Sequence, residues 1–319
     1  MIRNFVLRDL PTLNRYRHRG QFLDSATAIT WGPTVVPAGA LLTHLAPATG
    51  IFTYLGSPQN GKEEIILAQL VHQQNSACAR FSFIAPENAL ESSAFEDLVS
   101  YMAQQIGERG AHNFVAEVEE TTPMYDAMRR TGFAVYARQR VWHLDLGDAD
   151  DEVSGEGGWR SRVDRDEIPT RTLYNAIVPA LAQQVESPPW ERQKGVAYYA
   201  GGELLAFVEL QYGPRGIMAY PYFHPDIDSP TQSLSEMFAA IPNRRSRPVY
   251  IKVRSYQTWL EGHLEDLTAI PGPKQAVMVK RLALPVTQPL IPAVQELKGA
   301  TTPNPTIPIA RSISNERAN

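Results

Sequence analysis

Residues suited to holding an anion gather at one point of this chain. Asn88, Ser92 and Ser93 lie in the segment PENALESSA, between an apolar run that stops at Pro86 and the start of a helix, so their side chains join the open N–H groups of a helix N-terminus. Ser93 has a second explanation, because with Glu96 it forms a capping box. Two acids, Glu87 and Glu91, share the segment. A carboxylate about 6 Å from a phosphate costs roughly 3 kcal/mol at an effective dielectric of about 20, or about a hundredfold in affinity. Elsewhere, Glu209 and Gln211 alternate along a strand and suit either an amine ligand or a solvated face. The run NRRSR (residues 243–247) suits either an anionic group or a solvated turn. Arg15 and Arg19, one helical turn apart beside Tyr16, Arg17 and His18, form a small basic and aromatic patch that fits an acidic partner or a helix end. Tyr220 and Tyr222 share a strand face on either side of Pro221, which suits a bulge or an edge. The chain has no Walker loop, no GxGxxG after a strand, no HExxH and no Gly-x-Ser-x-Gly elbow, and its seven histidines lack ligand spacing.

Composition bounds the rest. A length of 319 residues exceeds the usual single core, and two domains are expected. A hydrophobic fraction of 43% with 20% charged residues describes an ordinary globular chain, and a formal net charge of −4 disfavours nucleic acid as a partner. The first residues carry no apolar core of signal-peptide length and no apolar run reaches membrane-spanning length, so no membrane association and a cytoplasmic location are expected. Cys78, the single cysteine, excludes an internal disulfide and sits in an apolar strand as a packing residue.

The elements that would position these residues centre on residues 77–133. ACARFSFIAP reads as a buried strand stopped by proline. The following helix places Phe95, Leu98, Val99, Met102 and Ile106 on one face; HNFVAEV is a second strand, PMYDAMRRTGF a short helix closed by Gly132, and VYARQRVWHLDL a last strand. Before this unit, LLTHLA, IFTYLG and EIILAQLVHQ read as a mostly antiparallel meander. A plausible helix starts after Asp9, with Pro11 in its first turn.

This order of strand, loop, long helix, strand, helix ending in Gly-Phe and strand resembles the GNAT superfamily of N-acyltransferases. Where that family carries Gln/Arg-x-x-Gly-x-Gly/Ala for the pyrophosphate of acyl-coenzyme A, this chain reads PENALESSA, without glycine. The resemblance implies an α/β fold, a mixed sheet with flanking helices, and a direct attack of a small-molecule or peptide amine on the thioester of acetyl-CoA or another acyl-CoA, with no metal. It places Phe83, Ile84 and Ala85 beside the acyl group at a bulge in the fourth strand, and Asn88, Ser92 and Ser93 at the pyrophosphate. The tyrosine that the family puts four residues before Gly-Phe is Met128 here, which leaves Tyr125 as acid for the thiolate and Glu117 as base. A non-catalytic ligand- or partner-binding descendant is the alternative.

The pattern occurs twice. RDLPT at Arg8 returns as RDEIPT at Arg165, and RQRVWHLDL returns in KQAVMVKRLAL, with offsets of 157 residues at Asp9/Asp166 and 136 at Gln139/Gln275. The sequence therefore predicts a tandem repeat: a first copy over 1–146, an acidic glycine-rich linker over 147–158, a second copy over 159–284 and a disordered proline-rich tail over 285–319. In the second copy a helix is expected from Asp166 to Val185, followed by strands, a helix and a closing strand. The copies are expected to superpose, each closing its own sheet.

Overall fold

A computed structural model describes residues 1–45, 50–57, 64–92, 94–144, 158–191 and 194–282. Ser93, the linker up to residue 157 and the tail lie outside the described residues. The first half runs β1 (Ile2–Asn4), α1 (Leu10–Tyr16), β2 (Gln21–Phe22), α2 (Ser25–Thr30), α3 (Val35–Leu45), β3 (Ile51–Gly56), β4 (Ile66–Val71), β5 (Cys78–Ala85), α4 (Ala94–Glu108), β6 (Asn113–Glu119), α5 (Pro123–Arg130) and β7 (Ala134–Leu144). The second half runs β8 (Trp159–Ser161), α6 (Glu167–Ile177), α7 (Ala180–Gln183), β9 (Gly195–Ala200), β10 (Glu203–Tyr212), β11 (Ile217–Phe223), α8 (Pro230–Ala239), β12 (Val249–Arg254), α9 (Leu260–Asp266) and β13 (Ile270–Arg281).

Two expected elements change. LLTHL closes α3 and is not a strand, since it continues the apolar run that begins at Val35, with Pro37 in the first turn where its missing N–H costs nothing. The long helix expected after Asp166 breaks at Val178, whose extended backbone (φ −89°, ψ 126°) is what a following proline imposes; Pro179 then restarts a short α7.

The entry to each half is built by one device. Arg3 grips Asp9 through two bonds of 2.6 Å, and the Val6 N–H donates to the same carboxylate at 3.0 Å. Arg160 grips Asp166 at 2.7 and 2.6 Å, and the Val163 N–H donates at 2.9 Å. All three residues keep the 157-residue offset. The forked, charge-assisted geometry fixes the turn between strand and helix.

The far end of each half is built differently from expectation. The halves do not close separate sheets: the order is β1-β3-β4-β5-β6-β13-β7-β12-β11-β10-β9-β8, with β2 paired to β5. The closing strands are exchanged, so β13 lies between β6 and β7, and β7 lies between β13 and β12. In the antiparallel pair of β7 and β13, Gln139 faces Gln275, each opposite its own counterpart, and Gln139 Nε2 donates to Gln275 Oε1 at 2.7 Å. A local two-fold axis through this pair requires that register. Because Glu117 pairs with Val277 and Lys252 with Val141, Glu117 and Lys252 occupy corresponding positions.

Packing follows from strand alternation. Phe81, Phe114, Ala116 and Val118 face α4 and α5 in one core, Val208, Ala219, Ile251 and Val253 face α8 and α9 in another, and smaller clusters lie under α1 and α3 and under α6. β5 and β6 run parallel but pair only over Cys78–Arg80 with Asn113–Val115, and β11 and β12 pair only over Ile217–Ala219 with Val249–Ile251. Beyond those residues each pair splays apart.

The clamp has an acid limit. Burial raises the Asp166 pKa, but Arg160, the Val163 N–H and Tyr199 outweigh it and hold the carboxyl at about 2. A depressed folded pKa contributes stability that is complete above the unfolded value of 3.8 and is lost as pH falls toward 2. Asp166→Asn should therefore lower the melting temperature at pH 6 and flatten its fall between about pH 4 and about pH 2, as followed by circular dichroism.

Candidate functional site

The splay between β5 and β6 is where the resemblance places an acyl thioester. The expected bulge is present: Gln69 pairs with Phe83 but Leu70 with Phe81, leaving Ser82 as the extra residue. The groups it frees are already engaged. β2 pairs with β5 through Gln21 with Ile84 and Phe22 with Phe83, the Leu23 N–H donates to Ser82 O at 3.0 Å, and the Glu117 N–H donates to Leu23 O at 2.8 Å. Residues 21–23 thus bridge the splay from one wall to the other. Gly20 lets the chain enter, because a Cβ there would lie 2.4 Å from Ile84 O. Phe83, Ile84 and Ala85 are 0%, 1% and 0% exposed. The assignment of these three residues to an acyl group is corrected, since their open edge is paired to the chain itself.

The pyrophosphate residues fare no better. Asn88 is exposed in a 3-10 turn, Glu87–Glu91, with Glu87 exposed beside it; Ser92 Oγ accepts from the Ala94 N–H at 3.2 Å, capping the start of α4. Acyl-coenzyme A does not fit these residues as they stand.

The acid and base are not brought together. Phe114, Ala116 and Val118 put the α4/α5 face of β6 in one core, and Tyr125 packs half-buried on that same core, with the Arg129 guanidinium 6.0 Å from its ring. Glu117, one residue out of phase, points to the opposite face. There Lys252 Nζ lies 2.6 Å from Glu117 Oε1, with Lys252 and Glu117 side chains only 1% and 8% exposed. α2 supplies the other contacts: Asp24 caps it, accepting from the Ala26 N–H at 3.2 Å and Thr27 Oγ1 at 2.8 Å, and so presents Ser25, whose N–H donates to Glu117 Oε2 at 2.9 Å and whose hydroxyl donates to the same oxygen. Burial pushes the Glu117 pKa up, but the Lys252 and Arg254 charges and the bonds from Lys252 and Ser25 reverse this and hold it well below the usual carboxylate range. A carboxylate so stabilised is a weak base, which corrects its assigned role.

The network continues across the two-fold. Arg254 donates to Gln139 Oε1 at 2.6 Å and lies 2.9 Å from Glu186 Oε1, which also accepts from the Tyr136 hydroxyl at 2.8 Å. Burial, then the Glu186 carboxylate, push the Tyr136 hydroxyl well above its ordinary value. The sequence reading did not assign Ser25, Glu186, Lys252 or Arg254. The available signal was a lone charge at the centre of each apolar strand, Glu117 in HNFVAEV and Lys252 in PVYIKV.

The second splay is bridged by one side chain. Gln257 donates to Pro221 O at 2.8 Å and accepts from the Phe223 N–H at 3.1 Å, as a neighbouring strand would. Register between β10 and β11 is continuous from Ala206/Phe223 to Tyr212/Ile217, so Pro221 marks the edge left by β12 and no bulge. Glu209 is buried, and Gln211 accepts from the Tyr220 hydroxyl at 3.0 Å. Arg247 folds back onto the carbonyls of Arg244, Gly213 and Asn243. In the N-terminal basic patch the Arg15 and Arg19 guanidinium groups lie 5.8 and 5.7 Å from the Tyr16 ring, and Arg19 reaches Glu64 at 3.5 Å.

What remains open is a cavity of about 490 Å³ between the halves, bordered by Asp24, Cys78 and Arg80 from one side and Lys194, Gln211 and Tyr212 from the other. No group of acids, cysteines and histidines suited to a metal ion occurs among the described residues.

Removing one member of the central pair leaves the other charged and buried. Lys252→Met should cost about 3–5 kcal/mol in chemical denaturation, whereas the double variant Glu117→Gln/Lys252→Met should cost clearly less than the sum of the two single changes. Additive losses would mean that the two groups do not interact.

No family model matches the chain, and no curated protein matches it in sequence. Solved structures do match. A GCN5-related N-acetyltransferase from Sphaerobacter thermophilus aligns with a TM-score of 0.53 at 13% identity, covering 88% of this chain and 95% of its own. A tandem GNAT protein from the clavulanic acid biosynthesis pathway aligns with a TM-score of 0.49 at 12% identity, covering 88% and 98%. No described helix is long and apolar enough to cross a membrane. By the first of these alignments, with its mixed sheet and flanking helices, the chain has the GNAT superfamily fold.

Proposed function

We propose that this chain is a non-catalytic member of the GNAT fold, two copies over 1–146 and 159–284, that binds a ligand between its halves in place of an acyl-CoA in a strand splay. One observation carries the reading: Leu23 is hydrogen-bonded to Ser82 on one wall of the first splay and to Glu117 on the other, where pantetheine would have to lie. The Gln257 fork on β11 and the ion-paired Glu117 point the same way. Composition supports a cytoplasmic location.

The second reading is acyl transfer from acetyl-CoA or another acyl-CoA to a small-molecule or peptide amine. The bulge at Ser82 favours it, since that geometry serves a thioester and has no other use once β2 is paired there. The two readings separate in a thermal-shift titration. A ligand at a hundred times its dissociation constant stabilises its site by about 2.7 kcal/mol. The expected outcome is no shift with acetyl-CoA and no turnover with any amine. If acetyl-CoA stabilises the chain and Tyr125→Phe lowers turnover by about 10²-fold or more while the protein stays folded, the acyltransferase reading replaces this one.

A further inference from the structure

We propose that the cavity between the halves binds a small polar molecule bearing a carboxylate or phosphate group, with Arg80 as its anchor and Lys194 as the second cation. This rests on the reading of the chain as a binding protein and gives its ligand a chemical class. The cavity, about 490 Å³, has the size of small-molecule sites.

Arg80 is mounted rigidly, because its backbone pairs with Val71 of β4 on one side and Val115 of β6 on the other. Among the described residues, no hydrogen bond and no ion pair within 4.0 Å engages its guanidinium. The acids around it are committed elsewhere. Glu117 is held by Lys252 and Ser25, and Glu186 by Arg254 and Tyr136. Asp24, which borders the same cavity, turns one oxygen to the Ala26 N–H and the other to Thr27, although its charge still favours the ionised guanidinium. A planar fork with its donors uncommitted, facing a cavity walled by protein, is matched by the paired oxygens of a carboxylate or phosphate.

The opposite wall adds to this. Lys194 borders the cavity, so Arg80 and Lys194 face a single acid there, Asp24. Gln211, whose Oε1 accepts from Tyr220, keeps its amide hydrogens for the body of a ligand. Because Arg80 comes from the first half and Lys194 from the second, one bound anion would touch both.

The test uses the whole chain and two probes, inorganic phosphate and acetate, at millimolar concentration and constant ionic strength with chloride as reference. At least one probe should raise the melting temperature relative to chloride, and the probe that does so identifies the phosphate or the carboxylate arm. Arg80→Gln should weaken that binding by about tenfold or more. Lys194→Gln, a change at an exposed side chain, should weaken it while leaving the unliganded melting temperature unchanged. Should Arg80→Gln not fold, Arg80→Lys keeps the charge and loses the fork, and weaker binding of the same probe is expected. Absence of a shift with both probes, or a shift of the same size in the Arg80 and Lys194 variants, overturns the proposal. Failure of the binding-protein reading is a separate result: acetyl-CoA would stabilise the chain equally with and without Arg80→Gln.

Discussion

Glu117 and Lys252 meet at 2.6 Å in a place where neither can be solvated, and the arrangement of the two halves depends on that contact. Taking a carboxylate and an ammonium out of water costs several kcal/mol each, and their attraction does little more than offset it. The contact therefore serves to fix geometry. Each charge sits at the centre of an apolar strand, so a slip of one residue in β12 or β13 would turn it onto the opposite, apolar face. Only the register that sets Gln139 against Gln275 keeps both charges together, and that register is the exchanged one.

Exchange has consequences beyond register. Because β13 completes the sheet beside β6, and β7 does so beside β12, the two halves share one backbone hydrogen-bond ladder. The space that in a single copy would lie open at the sheet's centre becomes the meeting place of Ser25, Gln139, Glu186 and Arg254. α2 is drawn into it, since Ser25 must reach Glu117. The chain leading to α2 then has to pass through the splay of β5 and β6, and Leu23 closes it. On this account, the loss of the thioester site and the creation of a cavity between the halves have one cause.

Much of this was legible in the sequence and some was not. The repeated RD(x)nPT entry and the Gln139/Gln275 match were visible as spacing, and the structure turns them into a duplicated Arg–Asp clamp and a two-fold axis. The apolar faces of α4 and β6 followed from helix and strand periods. Exchange was not visible, because β7 and β13 have the same pattern whichever half they complete, and periodicity carries no information about partner strands. The function of residues 21–23 was hidden for a related reason: two or three residues are too few for any period. Glu117 was picked out as a charge near the expected site, but the sequence could not show that its partner lies 135 positions away in Lys252.

The account turns on the occupancy of the first splay, and amide hydrogen exchange reads it directly. The Leu23 and Glu117 amides are each hydrogen-bonded inside the splay. They should exchange only through global unfolding, with protection as high as that of the β6 amides, and adding acetyl-CoA should leave it unchanged. Fast, loop-like exchange at Leu23 and Glu117 that becomes slow when acetyl-CoA is added would contradict the account, for the splay would then be open to a cofactor and not closed by the chain.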